Sequence, residues 1–284
     1  MGRDLLQLRP LKAFADAALL LLRLLTGAFL VWAMWPNISS SETMTAVVGY
    51  FGEHGFVYPE LFAPLSAWAQ FLIGIALILG LATPWAGLLL AFNFVVGMIM
   101  VHLDDSLRDQ WPALALLATG VLLAATGGGR FAIDRHLRSP WITLPRLVAL
   151  TDAALLLLRL LTGAFLIHGV WDNVASAERM GEFAGFLAAS GFPAPEVMAP
   201  LSVYAQLLVG LALIPGLMTR WAGLILMFNF LVAWLMVHWG ESFREAYPAL
   251  VLIAFGAVFA TLGASRYAAD LLFSRPGRDD RHPA

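Results

Sequence analysis

Long apolar runs alternate with short polar breaks along the chain, and the run lengths predict helices that cross a membrane. Ala17–Trp35, Leu61–Leu81 and Trp85–Val101 are close to the roughly twenty apolar residues that a spanning helix needs. Pro112–Thr126 is a fourth run, short for a span, that tilts little or borrows length from its flanks. Only Ala82, Thr83 and Pro84 separate the second and third runs, which forces an antiparallel hairpin. After Pro36 the pattern breaks. Ser39, Ser40 and Ser41 are ready caps for a short amphipathic segment through Phe51, which Gly55, Pro59 and Pro64 close. That segment is expected at the membrane surface.

The pattern then repeats without a gap. Asp16–Leu30 recurs residue for residue as Asp152–Leu166, and the same offset of 136 positions carries Gln70 to Gln206, Asn93 to Asn229, His102 to His238 and Arg130 to Arg266. Ala153–Trp171, Val197–Leu217, Trp221–Val237 and Pro248–Leu262 are the spans of the second copy. A repeat this long is a duplicated folding unit. The predicted fold is therefore all-α and integral to the membrane, with eight spans in two four-helix repeats, residues 1–138 and 139–284. Gly127–Thr151, which carries Gly127-Gly128-Gly129 and four arginines, links them. An even number of spans per copy points both copies the same way, so a pseudo-two-fold axis along the membrane normal is expected.

Composition supports a membrane class: 60% of residues are hydrophobic and 13% charged, against about 25% charged in soluble domains. With 17 Lys+Arg against 19 Asp+Glu, no nucleic-acid partner is expected. The absence of cysteine excludes disulfides, thiol chemistry, Cys-ligated clusters and c-type haem attachment. The first apolar run is long and contains Arg23, so it is read as a retained helix and not a cleaved leader. Charge is sorted by segment. The amino-terminal stretch, the central linker, Arg220 and the carboxyl-terminal stretch hold nearly all the loop arginines and the one lysine. The opposite loops hold Glu42, Glu53, Glu60, Asp104, Asp105, Asp109, Glu178, Glu182, Glu196, Glu241 and Glu245 against Arg108, Arg179 and Arg244. Both termini are therefore expected in the cytoplasm, and Gly277–Ala284 reads as a polar, disordered tail.

Few side chains in the apolar runs can carry chemistry. Arg23 and Arg159 stand on the same helical face as Asp16 and Asp152, seven residues earlier and about 10 Å away. Each either holds an anionic or carbonyl-bearing ligand, reaches the headgroups, or pairs with its own aspartate. Ser66, Gln70 and Gly74 make a small and polar stripe at i, i+4 and i+8 that recurs as Ser202, Gln206 and Gly210, and Asn93 and Asn229 fall at similar depth. These amides serve either as hydrogen-bond glue between helices or as a pocket on which Arg, Gln and Asn converge. His102 and His238 close the third and seventh spans beside Arg108 and Arg244. They are read as interfacial contacts to protons or a partner; one histidine per repeat lacks the spacing of a metal or haem site. His168 lies about 180° round the helix from Arg159 and shares no site with it. The tryptophans Trp32, Trp35, Trp85, Trp171, Trp221, Trp234 and Trp239 fall mostly at span ends, as an interfacial belt does. No nucleotide-binding glycine pattern, nucleophile elbow or metal-ligand motif is present.

Both copies resemble the DoxX/DoxD-like family of four-helix membrane proteins, over Leu11–Leu137 and Leu147–Phe273. The resemblance rests on Leu-Leu-Arg23-Leu with Gly27 and Phe29, on His168-Gly169, Gly191-Phe192-Pro193 and Leu-Gly80-Leu, and on His102 and His238. Tyr247-Pro248-Ala-Leu and Gly-Gly-Arg130-Phe-Ala-Ile-Asp134 complete it. The chain departs from the family in having Trp32-Ala33 for His-Gly in the first copy, and Asn37 and Asn173 where a lysine is frequent. The resemblance implies a bacterial inner-membrane protein linked to redox systems, such as the small subunit of a thiosulfate:quinone oxidoreductase. The expectation is thus a quinone-linked subunit of a membrane complex, with a quinone or lipid head on Arg23, Gln70 and Asn93 or on Arg159, Gln206 and Asn229. It would anchor partner proteins and catalyse nothing independently. A purely structural subunit and a small-solute transporter are the alternatives.

Overall fold

A computed structural model describes residues 8–137 and 139–273. The expected disorder of Gly277–Ala284 and the basic residues Arg3, Arg138, Arg275, Arg278 and Arg281 lie outside them. The described residues form helices joined by short turns, with no strand among them. The first copy contains α1 (Ala15–Ser39), α2 (Ser41–Glu53), α3 (Pro59–Leu79), α4 (Thr83–Met100) and α5 (Leu107–Thr126). The second contains α6 (Thr151–Ala175), α7 (Ala177–Ala189), α8 (Pro195–Leu213), α9 (Thr219–Met236) and α10 (Phe243–Leu262).

Local chemistry explains most of these boundaries. Ser40, Ser106, Ser176 and Ser242 cap α2, α5, α7 and α10 by accepting the backbone N–H of the residue three positions on. Pro59, Pro84 and Pro195 sit in first turns, where a missing N–H costs nothing. Two expectations change. Pro36 lies inside α1, which continues to Ser39; in the second copy the equivalent Asp172 likewise lies inside α6. The fourth run is not short either, because the polar residues before it join the helix: α5 begins at Leu107, after its cap Ser106, and has 20 residues.

Seven described helices are long and apolar enough to cross a membrane, and the chain is a multi-span membrane protein. They include α1, α3, α4, α6, α8, α9 and α10; α5, whose first turn holds Arg108, Asp109 and Gln110, is not among them. Packing order is a closed ring: α1, α3, α4, α5, α6, α8, α9, α10 and back to α1, with α5 touching α10 across the middle. Each first helix therefore packs against the last helix of the other copy more than against its own. The core lies along this seam. Buried residues make up 67% of the apolar window of α10, but only 22–28% in α3, α4, α8 and α9, whose remaining faces meet lipid.

The seam carries a matched pair of ring stacks. Phe29 lies on Tyr247 with centroids 3.8 Å apart, and Phe165 lies on Trp111 at 3.9 Å. Within each copy, glycines bring helices together. A Cβ on Gly27 would lie 2.6 Å from the carbonyl oxygen of Gly74, and one on Gly163 would lie 3.0 Å from that of Gly210. Such close approach is what dispersion packing demands in lipid, where apolar burial gives helices no preference for each other. The termini of the described chain, the α3–α4 and α8–α9 turns and the linker gather at one end of the bundle, called here the terminal end. The α4–α5 and α9–α10 turns, with α2 and α7, lie at the distal end.

Candidate functional site

At the terminal end, Arg23 and Arg159 are almost wholly buried, at 1% and 0% exposed. Arg23 Nη2 donates to the carbonyl of Phe131 at 3.4 Å. Arg159 donates to Ser265 Oγ at 3.4 Å and to the carbonyls of Ile214 and Tyr267 at 3.5 and 3.4 Å. Neither pairs with its own aspartate. Asp16 instead accepts the backbone N–H of Arg130 at 2.9 Å, and Asp152 that of Arg266 at 3.0 Å. The negative charges nearest the buried guanidinium groups in effect are Asp134 and Asp270. Asp134 accepts from the N–H groups of Ala82 and Thr83 at 2.5 and 2.7 Å, and Asp270 from those of Met218 and Thr219 at 2.6 and 3.1 Å, at the start of α4 and α9. Gly80 and Gly216 have φ of +66° and +73°, and a Cβ on either would collide with the arginine. Each arginine thus ties its first helix to the hairpin turn and to the segment that closes its repeat.

The expected convergence of arginine with glutamine and asparagine is corrected by this geometry. Gly80, against which Arg23 packs, is ten residues from Gln70, roughly 15 Å along α3. The amides instead meet a serine, one turn from the glutamine and across to the next helix from the asparagine. In the first copy Gln70 Nε2 and Asn93 Nδ2 both donate to Ser66 Oγ, at 3.1 and 3.0 Å. In the second, Gln206 Nε2 donates to Ser202 Oγ at 3.2 Å, and Ser202 Oγ donates to Asn229 Oδ1 at 2.9 Å. The serine hydroxyl is the hub because it both gives and accepts a hydrogen bond.

The second triad opens on a cavity of about 530 Å³ between α7, α8 and α9, within the range of small-ligand pockets. Ser202, Gln206 and Asn229 are polar points in a wall made chiefly of Phe183, Phe186, Leu201, Ile225 and Phe228. Arg159 does not line it. The amphipathic helix α7 covers one side, where Ala184 and Leu187 pack with Ala199, Met180 and Phe192. In the first copy the equivalent helix α2 has no buried residue. There Tyr50 replaces Phe186, and partial desolvation of this exposed side chain raises its phenol above the ordinary pKa, with the nearby Asp105 carboxylate adding to the rise.

His102 and His238 stand at the distal end, each with its side chain 30% exposed. His102 Nδ1 lies 2.7 Å from Asp105 Oδ2, and His238 Nδ1 lies 2.7 Å from Glu241 Oε2. His238 lines the cavity and is joined there by Arg108 of the first copy; Arg244 is exposed in the first turn of α10. His168 is exposed while Arg159 is buried, so the two stay apart. No group of three or more potential metal ligands occurs among the described residues. Sequence reasoning missed Trp111 and Tyr247 as seam residues. Their signal was that they are aromatic residues at equivalent positions, 136 apart; both are buried in α5 and α10.

The family model described as DoxX matches residues 18–103 and again residues 154–239, together more than half of the chain. Each match runs from the start of a first helix to the histidine turn and stops before α5 or α10. No curated protein and no solved structure matches the chain.

Proposed function

The chain belongs to the DoxX family, in two successive copies, and from that premise we propose that it is the quinone-binding membrane subunit of a redox complex. The observation that carries this reading is the second-copy cavity, an apolar chamber with Ser202, Gln206 and Asn229 on its wall. A quinone ring needs an apolar slot and a few donors for its carbonyl oxygens, and amide N–H and hydroxyl groups are such donors. A bound quinone would supply two-electron, two-proton chemistry to a partner that carries its own redox centre. The residues of this chain bind and orient the head and keep its surroundings apolar. Catalysis is not independent in this reading, and protein partners dock on the exposed faces.

The proposal also takes α5 as an eighth span, so that residues 1–138 and 139–284 form two four-helix repeats about a pseudo-two-fold axis along the membrane normal. The matched stacks of Phe29 on Tyr247 and Phe165 on Trp111 support it. Arg130, Arg135, Arg146, Arg220 and Arg266 belong to the terminal end, which favours the cytoplasmic side of a bacterial inner membrane for both termini.

Mild-detergent purification from native membranes, with quantification of extracted quinone and co-purifying proteins, tests the reading. The expected result is near-stoichiometric quinone, with affinity lowered about tenfold or more by Gln206→Ala with Asn229→Ala and little changed by Gln70→Ala with Asn93→Ala. A stable complex without quinone, indifferent to both pairs, would leave the purely structural subunit as the better account. The first-copy triad, in which both amides bond Ser66, already suits that structural role.

A further inference from the structure

The second-copy cavity has one wall residue that its own repeat does not supply. Every lining residue but one lies between Phe183 and His238; the exception is Arg108, in the first turn of α5. Arg108 is exposed, and no carboxylate among the described residues forms an ion pair with it. A cation in a first turn opposes the helix dipole, so α5 by itself gives no reason for its place. His238 stands on the same wall with Nδ1 held by Glu241, which leaves Nε2 as its open nitrogen, a donor when the ring carries both protons. Among the described residues, Arg108 and His238 are the only ionisable side chains lining the cavity, and both are basic. From this mouth the wall runs inward over Val237, Ala233 and Phe228 to Asn229, nine residues and about 13 Å from His238.

We propose that this mouth is a lipid-phosphate station shared by the two repeats. An anionic phospholipid of the leaflet at the distal end sets its phosphate against Arg108 and His238 and lays one acyl chain along the apolar wall. Depth supports this occupant: the two basic groups stand at the distal ends of membrane helices, where phosphates lie, and the apolar surface leads inward from them. Guanidinium groups bind phosphate through paired N–H donors. A free phosphate would meet the same charges but has no use for the wall, so the lipid is the occupant assigned. Because the cation comes from the first copy and the wall from the second, one repeat alone lacks the complete station. The station does not rest on the quinone reading.

Native mass spectrometry of the intact chain released from micelles tests it. The probes are phosphatidylglycerol, phosphatidylcholine with the same acyl chains, and inorganic phosphate. Phosphatidylglycerol is expected to bind at least about tenfold more tightly than phosphatidylcholine, and Arg108→Ala to remove about tenfold of that affinity. Arg108→Lys should keep part of it, and Arg179→Ala, at another distal arginine, should keep all of it. Ala205→Phe, which narrows the wall, should weaken lipid binding and leave phosphate binding unchanged. An unaltered unfolding temperature in phosphatidylcholine shows that each variant is folded. Equal affinity for the two lipids, no effect of Arg108→Ala, an equal loss in Arg179→Ala, or inorganic phosphate bound as tightly as phosphatidylglycerol would each overturn the proposal. Quinone content measured on the same samples separates the two readings: Gln206→Ala with Asn229→Ala is expected to lower it while leaving in place the preference for phosphatidylglycerol over phosphatidylcholine, which depends on Arg108.

Discussion

The two copies share their terminal ends and differ at their distal ends. Arg23 and Arg159 sit in equivalent enclosures, against Gly80 and Gly216 and beneath Phe131 and Tyr267. At the other end α7 buries Ala184 and Leu187, whereas α2, at the equivalent place and of equal length, buries nothing. The residues that change there include Phe183 for Val47, Ala184 for Val48, Phe186 for Tyr50 and Leu187 for Phe51. What ties the helices together has stayed alike in both copies, and what covers the polar triad has diverged. Duplication therefore leaves one copy free to serve chiefly as scaffold, and in our reading that copy is the first.

The largest expected effect tests the likeness. Gly80→Ala and Gly216→Ala each put a side chain into a left-handed backbone and into a buried guanidinium. Each should cost about 2–4 kcal/mol, seen as a drop in unfolding temperature in detergent. Unequal losses would show that the enclosures are not equivalent. A smaller effect should separate them by burial. Asp134 is 6% exposed and Asp270 is half-buried, so Asp134→Ala is expected to cost about 2–3 kcal/mol and Asp270→Ala about 1–2; chemical denaturation would rank them, and the reverse order would break the argument. The smallest effect concerns the covers. Leu187→Ala should cost about 2 kcal/mol and Phe51→Ala less than about 1. Hydrogen exchange should also run faster in α2 than in α7. Equal protection of the two helices would remove the difference on which the assignment of the site to the second copy depends.

Much of this was legible because its causes are local. Run length predicted the seven helices long and apolar enough to cross a membrane, and Ser40 the cap of α2, since each depends on residues within a few turns; the duplication was legible from residue identity at an offset of 136. The Ser–Gln stripe was visible for the same reason: i and i+4 share a helical face whatever the helix packs against. Pro36 and the start of α5 were misplaced because a helix in a bundle can continue through residues that would end it alone. The partners of Arg23 and Arg108 were beyond reach of the pattern. Asp16, seven residues away on the same face, was the nearest candidate for Arg23, yet the bond goes to Phe131, 108 positions on. Arg108 reached a cavity of the other copy. Sequence by itself thus determined the helices and the faces on which polar residues stand, because short-range periodicity and capping decide those. Only the tertiary structure decided that each first helix packs on the last helix of the other copy, that arginine and amide serve different ends of the bundle, and that α7 buries Ala184 and Leu187 beside a cavity whereas α2 buries no residue. Those outcomes depend on packing between residues far apart in the chain, which no local pattern encodes.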